Sequence, residues 1–204
     1  MRPTLKLLDK DLIAKIVNEA KEILVKLGIE IHNESILKML SDHGATIEKT
    51  TQRAFIPADL VDKALKSAPS SIKLFDVFGE QTHDLSGYNV YFTPGSAAIN
   101  ILDPDTNEIR KPLTKDYVNY VKLVSNLNNI AAQSTAFIPS DVDEKISDSF
   151  RLYLSLLYCK KPVVTGAFTI EAFEVMKNLQ LAVRGCKEAL KEKPLTIFSC
   201  CPTA

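Results

Sequence analysis

Beyond Pro69 the sequence alternates between short β-rich runs and amphipathic helical patterns, and this alternation restricts the possible folds more than any other feature of the chain. Four runs have the length and composition of buried strands, at residues 89–93, 130–137, 162–167 and 195–200. Helical patterns separate them, at residues 116–127, 143–158 and 171–191. Strands that alternate with helices are typical of a parallel sheet with crossover helices, so we expect an α/β fold.

Local signals mark where these elements begin and end. Thr114 and Thr169 stand where the N-caps of the first and third helices are expected, and Gly185 interrupts the third helix. A polar turn at residues 103–107 lies between two short apolar runs and predicts a β-hairpin after the first strand.

The first 69 residues have a different pattern, which predicts a helical N-terminal extension. An apolar stripe over residues 11–27 indicates a helix that ends at Gly28. Asn33 can cap a second helix, and residues 58–68 predict a third between two prolines. A short hairpin is expected around residues 47–55. We therefore divide the chain into an extension at 1–69 and an α/β domain at 70–204.

The composition excludes several classes of protein. The 25 basic residues equal the 25 acidic ones and form no basic cluster, so a nucleic-acid partner is not expected. The charged start cannot serve as a signal peptide and no apolar run is long enough to cross a bilayer, which favours a cytoplasmic protein without membrane contact. The four cysteines lack C-x-x-C spacing, so we expect free, mostly buried thiols and no metal site.

Three stretches carry a resemblance to a known family. They read ILVKLGIEIHNESILKMLSDHGA at 23–45, NVYFTPGSAAINILD at 89–103, and the pair KPVVTGAF at 161–168 and KPLTIFSCCPTA at 193–204. In order and spacing they resemble the trimethylamine methyltransferase family. The resemblance implies a (β/α)8 TIM barrel with a helical N-terminal extension. Such a barrel needs eight strand-helix units, so about four units make the chain its front half.

The resemblance also implies an activity. Members of the family transfer a methyl group from a methylated amine, either trimethylamine or a quaternary amine such as glycine betaine, to the cobalt of a corrinoid carried by a partner protein. No corrinoid-ligating histidine motif occurs in the chain, so we expect no cofactor to be bound directly. The position of pyrrolysine in trimethylamine-specific members falls in the half of the barrel beyond Ala204. A second hypothesis stays open, namely a catalytically inactive remnant or binding module of the same fold.

A barrel of this kind places its functional residues on the loops that follow the strands. Small residues after the first strand, with Gly95 free to approach a ligand or to adopt a positive φ, would let backbone N–H groups bind a carboxylate. A quaternary ammonium has no hydrogen to donate, so aromatic side chains are needed to hold it. On these grounds the candidate substrate-binding residues are Tyr91, Thr93, Gly95, Ser96, Phe137, Thr165, Phe168 and Ser199.

Two further expectations concern the histidines and the open edges of the half-barrel. The three histidines of the chain lie away from the strand ends, so we assign them structural or solvent-exposed positions. Open strand edges and partly covered apolar surfaces would make the chain associate with itself or with other chains.

Overall fold

The computed structural model describes residues 6–200. The chain divides into two compact units, with the boundary between Pro69 and Ser70. We call them the N-terminal unit and the C-terminal unit. None of the helices between residues 6 and 200 is both long and apolar enough to span a membrane.

The N-terminal unit contains three helices and a small antiparallel sheet. Its elements are α1 (Lys10–Lys26), β1 (Ile29–Glu30), α2 (Glu34–Asp42), β2 (Thr46–Glu48), β3 (Arg53–Phe55) and α3 (Ala58–Ser67). The three helices and the β2–β3 hairpin confirm the expectations from sequence, and β1 extends the sheet to the order β1-β3-β2. Asn33 caps α2 by accepting a hydrogen bond from the N–H of Ile36.

Gly28 shows why the chain turns where α1 ends. Its φ of +66° lies in the left-handed region. A Cβ at this position would come within 2.6 Å of the carbonyl oxygen of Ala54 on β3. Only glycine combines this backbone conformation with so close an approach.

The C-terminal unit is a mixed α/β structure. Its elements are β4 (Lys73–Phe75), β5 (Gln81–Asp84), β6 (Ile101–Leu102), β7 (Ile109–Arg110), α4 (Thr114–Ser125), β8 (Gln133–Ser134), α5 (Glu144–Tyr158), β9 (Val163–Thr165), α6 (Ile170–Arg184), α7 (Lys187–Glu192) and β10 (Thr196–Phe198). The central sheet has the order β10-β9-β8, and both of its pairs are parallel. The expected parallel arrangement is thus confirmed for three of the four predicted strands, while the described residues form no closed barrel.

The predicted strand at 89–93 is wrong, because no regular strand forms there. The segment nevertheless runs beside β8. The N–H of Ala131 donates to the carbonyl of Phe92, and Ala98 forms a parallel bridge with Phe137. Between these contacts Pro94 has no N–H to donate, which prevents a continuous hydrogen-bond ladder.

Two antiparallel hairpins accompany the central sheet. The predicted one after the first strand is confirmed as β6–β7. The other, β4–β5, was not expected from the sequence. Its Leu74 and His83 pair across the strands and are both buried, so His83 has the structural position that the sequence suggested.

Helices α5 and α6 cover one face of the sheet and build its core. Val163 on β9 packs with Leu152 and Met176, and all three side chains are fully buried. A second cluster joins α4 to α5 through Tyr117, Val121 and Leu154. Thr169 caps α6, as expected, and Gly185 ends that helix with a φ of +87°. Thr114 is not the N-cap of α4 but its first residue, and the N–H of Leu113 donates instead to Asp116.

Candidate functional site

Because β8, β9 and β10 are parallel, their carboxyl ends meet at one edge of the sheet. A cavity of about 640 Å³ lies at this edge, and we call it the strand-end cavity. It is lined by Ser96, Ala97, Thr135, Arg151, Thr165, Gly166, Ala167, Phe168, Phe173, Phe198, Ser199 and Cys200. In an α/β sheet this edge is the usual place for a ligand.

Three phenylalanines contribute to the lining. Phe168 lies in the loop between β9 and α6, Phe173 in the first turn of α6, and Phe198 at the end of β10. The rings of Phe173 and Phe198 meet edge to face, with centroids 4.9 Å apart. Phe168 is 57% exposed. The cavity therefore presents aromatic surface from three separate segments, as the binding of a quaternary ammonium would require.

A buried ion pair lies beneath this aromatic surface. Arg151 on α5 is only 2% exposed, and its Nη2 donates to the carboxylate of Asp148 over 2.7 Å. Nη1 donates to the carbonyl of Thr135 at the end of β8, and Nε donates to the carbonyl of Ser147. The other carboxylate oxygen of Asp148 accepts from the N–H of Phe168. The pair thus connects α5 to two of the loops that line the cavity.

The ring of Phe168 also lies over the guanidinium of Arg151, with 5.2 Å between the guanidinium carbon and the ring centroid. This distance is within the range of a cation–π contact. Phe168 is therefore held twice, through its backbone by Asp148 and through its ring by Arg151.

Hydroxyl groups occupy the floor between β8 and β9. The hydroxyls of Thr135 and Thr165 lie 3.0 Å apart and are both buried. Thr165 also reaches the carbonyl of Gly166. Its side chain is on the same side of β9 as Val163, two residues earlier, and so faces the helices.

The structure brings four of the eight predicted site residues to the strand-end cavity, namely Ser96, Thr165, Phe168 and Ser199. The other four are elsewhere. Phe137 packs against Tyr120 of α4, with ring centroids 5.0 Å apart. The ring of Tyr91 packs against that of His83 at an angle of 39°, and its hydroxyl accepts from the N–H of Asp84.

Thr93 and Gly95 belong to the irregular segment beside β8 and are exposed. The φ of Gly95 is not in the left-handed region, so the expected positive φ is not found at this glycine. Apart from its two chain neighbours, no described residue has an atom within 4 Å of where its Cβ would be. Its carbonyl accepts from the hydroxyl of Ser134, which in turn contacts the hydroxyl of Tyr120. Burial raises the pKa of the Tyr120 hydroxyl above its ordinary value.

Sequence reasoning missed Arg151, Phe173 and Phe198. Arg151 and Asp148 are three residues apart on a helix, a spacing that normally indicates a solvent-exposed pair. A signal was available for the phenylalanines, since Phe198 immediately precedes the predicted Ser199 and Phe173 follows the α6 cap by four residues. Their convergence depends on tertiary structure.

In the part of the chain that the structure describes, neither metal ligands nor histidines form a site at the strand ends. Residues 6–200 contain no cluster of three or more side chains able to hold a metal ion. Cys200 lines the cavity as a free thiol, whereas Cys201 lies outside the described residues. The expectation of mostly buried thiols is wrong for the described cysteines, because Cys159 is buried but Cys186 and Cys200 are exposed.

Comparison with known proteins establishes the family. The family model described as trimethylamine methyltransferase (MTTB) matches residues 1–201. The chain belongs to this family. Among its curated relatives, a trimethylamine methyltransferase MttB of Desulfitobacterium hafniense (strain DSM 10664 / DCB-2) is 27% identical over 96% of the chain. A glycine betaine methyltransferase of the same species (strain Y51) is 28% identical over 96% of the chain.

A third relative, an L-carnitine:corrinoid methyltransferase of Eubacterium limosum, is 30% identical over 85% of the chain. The matched regions cover 39%, 40% and 37% of these three proteins, respectively. The chain therefore spans about two-fifths of the length of the relatives it matches.

Proposed function

We propose that the full-length protein carrying this sequence transfers a methyl group from a methylated amine to the cobalt of a corrinoid on a partner protein. The observation that carries the proposal is the strand-end cavity, where Phe168, Phe173 and Phe198 converge in a member of this family. The relatives support it, because two are named as methyltransferases of a methylated amine and a third is named for both carnitine and a corrinoid.

We further propose that β8, β9 and β10 are consecutive strands of a (β/α)8 barrel. Two features support this reading. The three strands are parallel and in sequential order, and α5 and α6 connect them on one face. The irregular segment that bridges to Phe137 through Ala98 would take the preceding strand position.

In this proposal the chain binds the amine and orients it, while the corrinoid is a substrate delivered by the partner. Aromatic faces attract a quaternary ammonium through their quadrupoles without needing a hydrogen-bond donor. The cobalt atom attacks the methyl carbon, a cobalt–carbon bond forms, and the carbon–nitrogen bond breaks with its electron pair left on the departing amine. Alignment of carbon and cobalt and exclusion of water are the contributions expected of the protein.

The test is methyl transfer by the full-length protein with its purified corrinoid partner in the reduced state. Trimethylamine, glycine betaine and L-carnitine are offered separately, and methyl-cobalt formation is followed by absorbance. Transfer from at least one amine supports the proposal. Absence of transfer from all three, with a partner that accepts methyl groups from another donor, would instead favour an inactive or binding role. The 204-residue chain, assayed beside it, tests how much of the activity this part retains.

A further inference from the structure

We infer that Arg151 binds the carboxylate of the substrate, so that the strand-end cavity is selective for quaternary amines that carry an acid group. The inference rests on the proposed function and specifies its substrate class. It is drawn from the hydrogen-bond geometry of Arg151 and from its position in the lining of the cavity.

The guanidinium of Arg151 has more N–H donors than it has acceptors among the described residues. A guanidinium carries five N–H groups, one on Nε and two on each terminal nitrogen. Among the described residues Nε, Nη1 and Nη2 each donate a single bond, to Ser147, to Thr135 and to Asp148. One N–H therefore remains on each terminal nitrogen.

Arg151 borders the cavity in which a ligand would bind. The residue is almost completely buried, yet it lines the strand-end cavity. Phe168 covers a face of the guanidinium, whereas the N–H groups point outward in its plane, so the stacking consumes none of them. Planar donors on a buried guanidinium suit a carboxylate, which accepts charge-assisted hydrogen bonds.

The nearby acid does not block this role. Asp148 uses one oxygen for Arg151 and the other for the N–H of Phe168, so it fixes the guanidinium and the loop together. Its negative charge opposes a second carboxylate, which limits the affinity that Arg151 can add. The same charge keeps the guanidinium paired when the cavity is empty, and an unpaired buried charge would be costly.

The aromatic side chains in the lining of the cavity suit the ammonium group of a quaternary amine that carries an acid group. Phe173 and Phe198 offer aromatic surface to a trimethylammonium group, and they contribute no charge. A zwitterion with its acid group at Arg151 and its ammonium group at these rings would use both parts of one cavity. A simple amine such as trimethylamine could use only the aromatic part.

The first measurement compares two ligands on the unaltered full-length protein by calorimetry. Glycine betaine and its uncharged carboxamide have nearly the same size and the same trimethylammonium group. We expect the carboxylate to bind at least about tenfold more tightly, because its negative charge is attracted to the guanidinium, whereas the carboxamide carries no net charge. Equal affinities would overturn the inference. This comparison does not depend on whether a variant folds.

The second measurement uses Arg151→Lys, which keeps a cation beside Asp148 but loses the planar donors. We expect Arg151→Lys to weaken the binding of the carboxylate more than that of the carboxamide, so that the preference for the carboxylate falls to about threefold or less. Equal losses for both ligands would show a purely structural role and would contradict the inference. Arg184→Lys is the matched control, since Arg184 donates to backbone carbonyls of residues 75–77 and 193 and does not line the cavity.

The two proposals fail in different ways. If the protein transfers methyl groups but does not distinguish the carboxylate from the carboxamide, the proposed function stands and the role of Arg151 is wrong. If no methylated amine binds or reacts at all, the proposed function itself is wrong.

Discussion

Phe173 is the residue whose replacement tests the aromatic site most directly. It is 40% exposed, so a change from phenylalanine to leucine removes little packing. We expect Phe173→Leu to weaken the binding of a quaternary amine by about 0.5–2 kcal/mol, the range of a cation–π contact, while Phe173→Tyr retains affinity. Calorimetry on the full-length protein measures the effect. Phe78→Leu is the control, because Phe78 is 78% exposed and lies outside the cavity. Equal losses in both leucine variants would contradict the role of Phe173.

His83 gives a prediction about pH. Its side chain is 3% exposed, its Nδ1 contacts the hydroxyl of Thr82, and its Nε2 has no hydrogen-bond partner among the described residues. Burial lowers the pKa of His83 below its ordinary value of 6.5. The unfolded chain therefore binds the proton more readily than the folded chain. The free energy of unfolding should fall as the pH drops below about 6.5 and should level off below the folded pKa.

Urea unfolding of the 204-residue chain at a series of pH values between 7.5 and 5 measures this dependence. We expect His83→Phe, which keeps a ring against Tyr91, to flatten the pH profile. His32→Gln serves as the control, since His32 is exposed and lies next to Glu30. A profile unchanged by the His83 substitution would show that another group causes any loss of stability in acid.

Among the elements of the C-terminal unit, α4 has an unusual C-terminal contact. The ammonium of Lys161, which precedes β9, donates to the carbonyls of Val124, Leu127 and Ile130 at distances of 2.6–2.7 Å. These groups lie at and beyond the last turn of α4, where carbonyls lack helical partners and the helix dipole favours a cation. One side chain thus joins the end of α4, the loop to β8 and the start of β9.

We expect Lys161→Gln to lower the free energy of unfolding by about 1.5–3 kcal/mol, the value of hydrogen bonds that involve a charged group. Lys160→Gln, which alters the adjacent exposed lysine, should change it by less than about 0.5 kcal/mol. Urea unfolding of both variants gives the comparison. Similar values for the two would mean that the carbonyls of the α4 end are satisfied equally well by water.

The elements also show what sequence can predict and why. The helices were predictable because their apolar periodicity and caps, such as Asn33 and Thr169, are local signals. The β4–β5 hairpin was missed because its second strand reads Gln-Thr-His-Asp and buries a histidine, which depends on the tertiary environment. The strand at 89–93 failed because an apolar run next to Pro94 has strand composition but cannot complete a ladder.

The sequence predicted the location of the candidate site, at the ends of the parallel strands, better than it predicted which residues line it. The ends of parallel strands indicated the loops after β9 and β10, and Thr165, Phe168 and Ser199 do lie in the cavity. Arg151 comes from the middle of a helix, and no strand-end rule includes such a position. Its role depends on contacts with Asp148 and Thr135, which sequence spacing alone does not distinguish from a surface ion pair.

At the scale of the whole molecule, one side of the central sheet packs against no helix of the C-terminal unit within the described residues, and we call this side the uncovered face. Val164 and Ile197 point away from α5 and α6, because their neighbours Val163 and Phe198 point toward these helices, and both are only partly buried. β10 ends the sheet and presents a backbone edge. An apolar surface beside an open edge favours pairing with another chain.

We therefore expect the 204-residue chain to associate in a concentration-dependent manner in sedimentation velocity experiments across the micromolar range. Ile197→Lys should reduce this association, because a charge on the uncovered face disfavours stacking and pairing at the β10 edge. Ile146→Lys is the matched control, since Ile146 is 53% exposed on α5, away from the sheet edge. A monodisperse monomer at every concentration would show that this face does not mediate self-association. If both substitutions reduce self-association equally, the added charge itself is the cause. Only a larger reduction by Ile197→Lys than by Ile146→Lys would show that the chains associate through the uncovered face of the sheet.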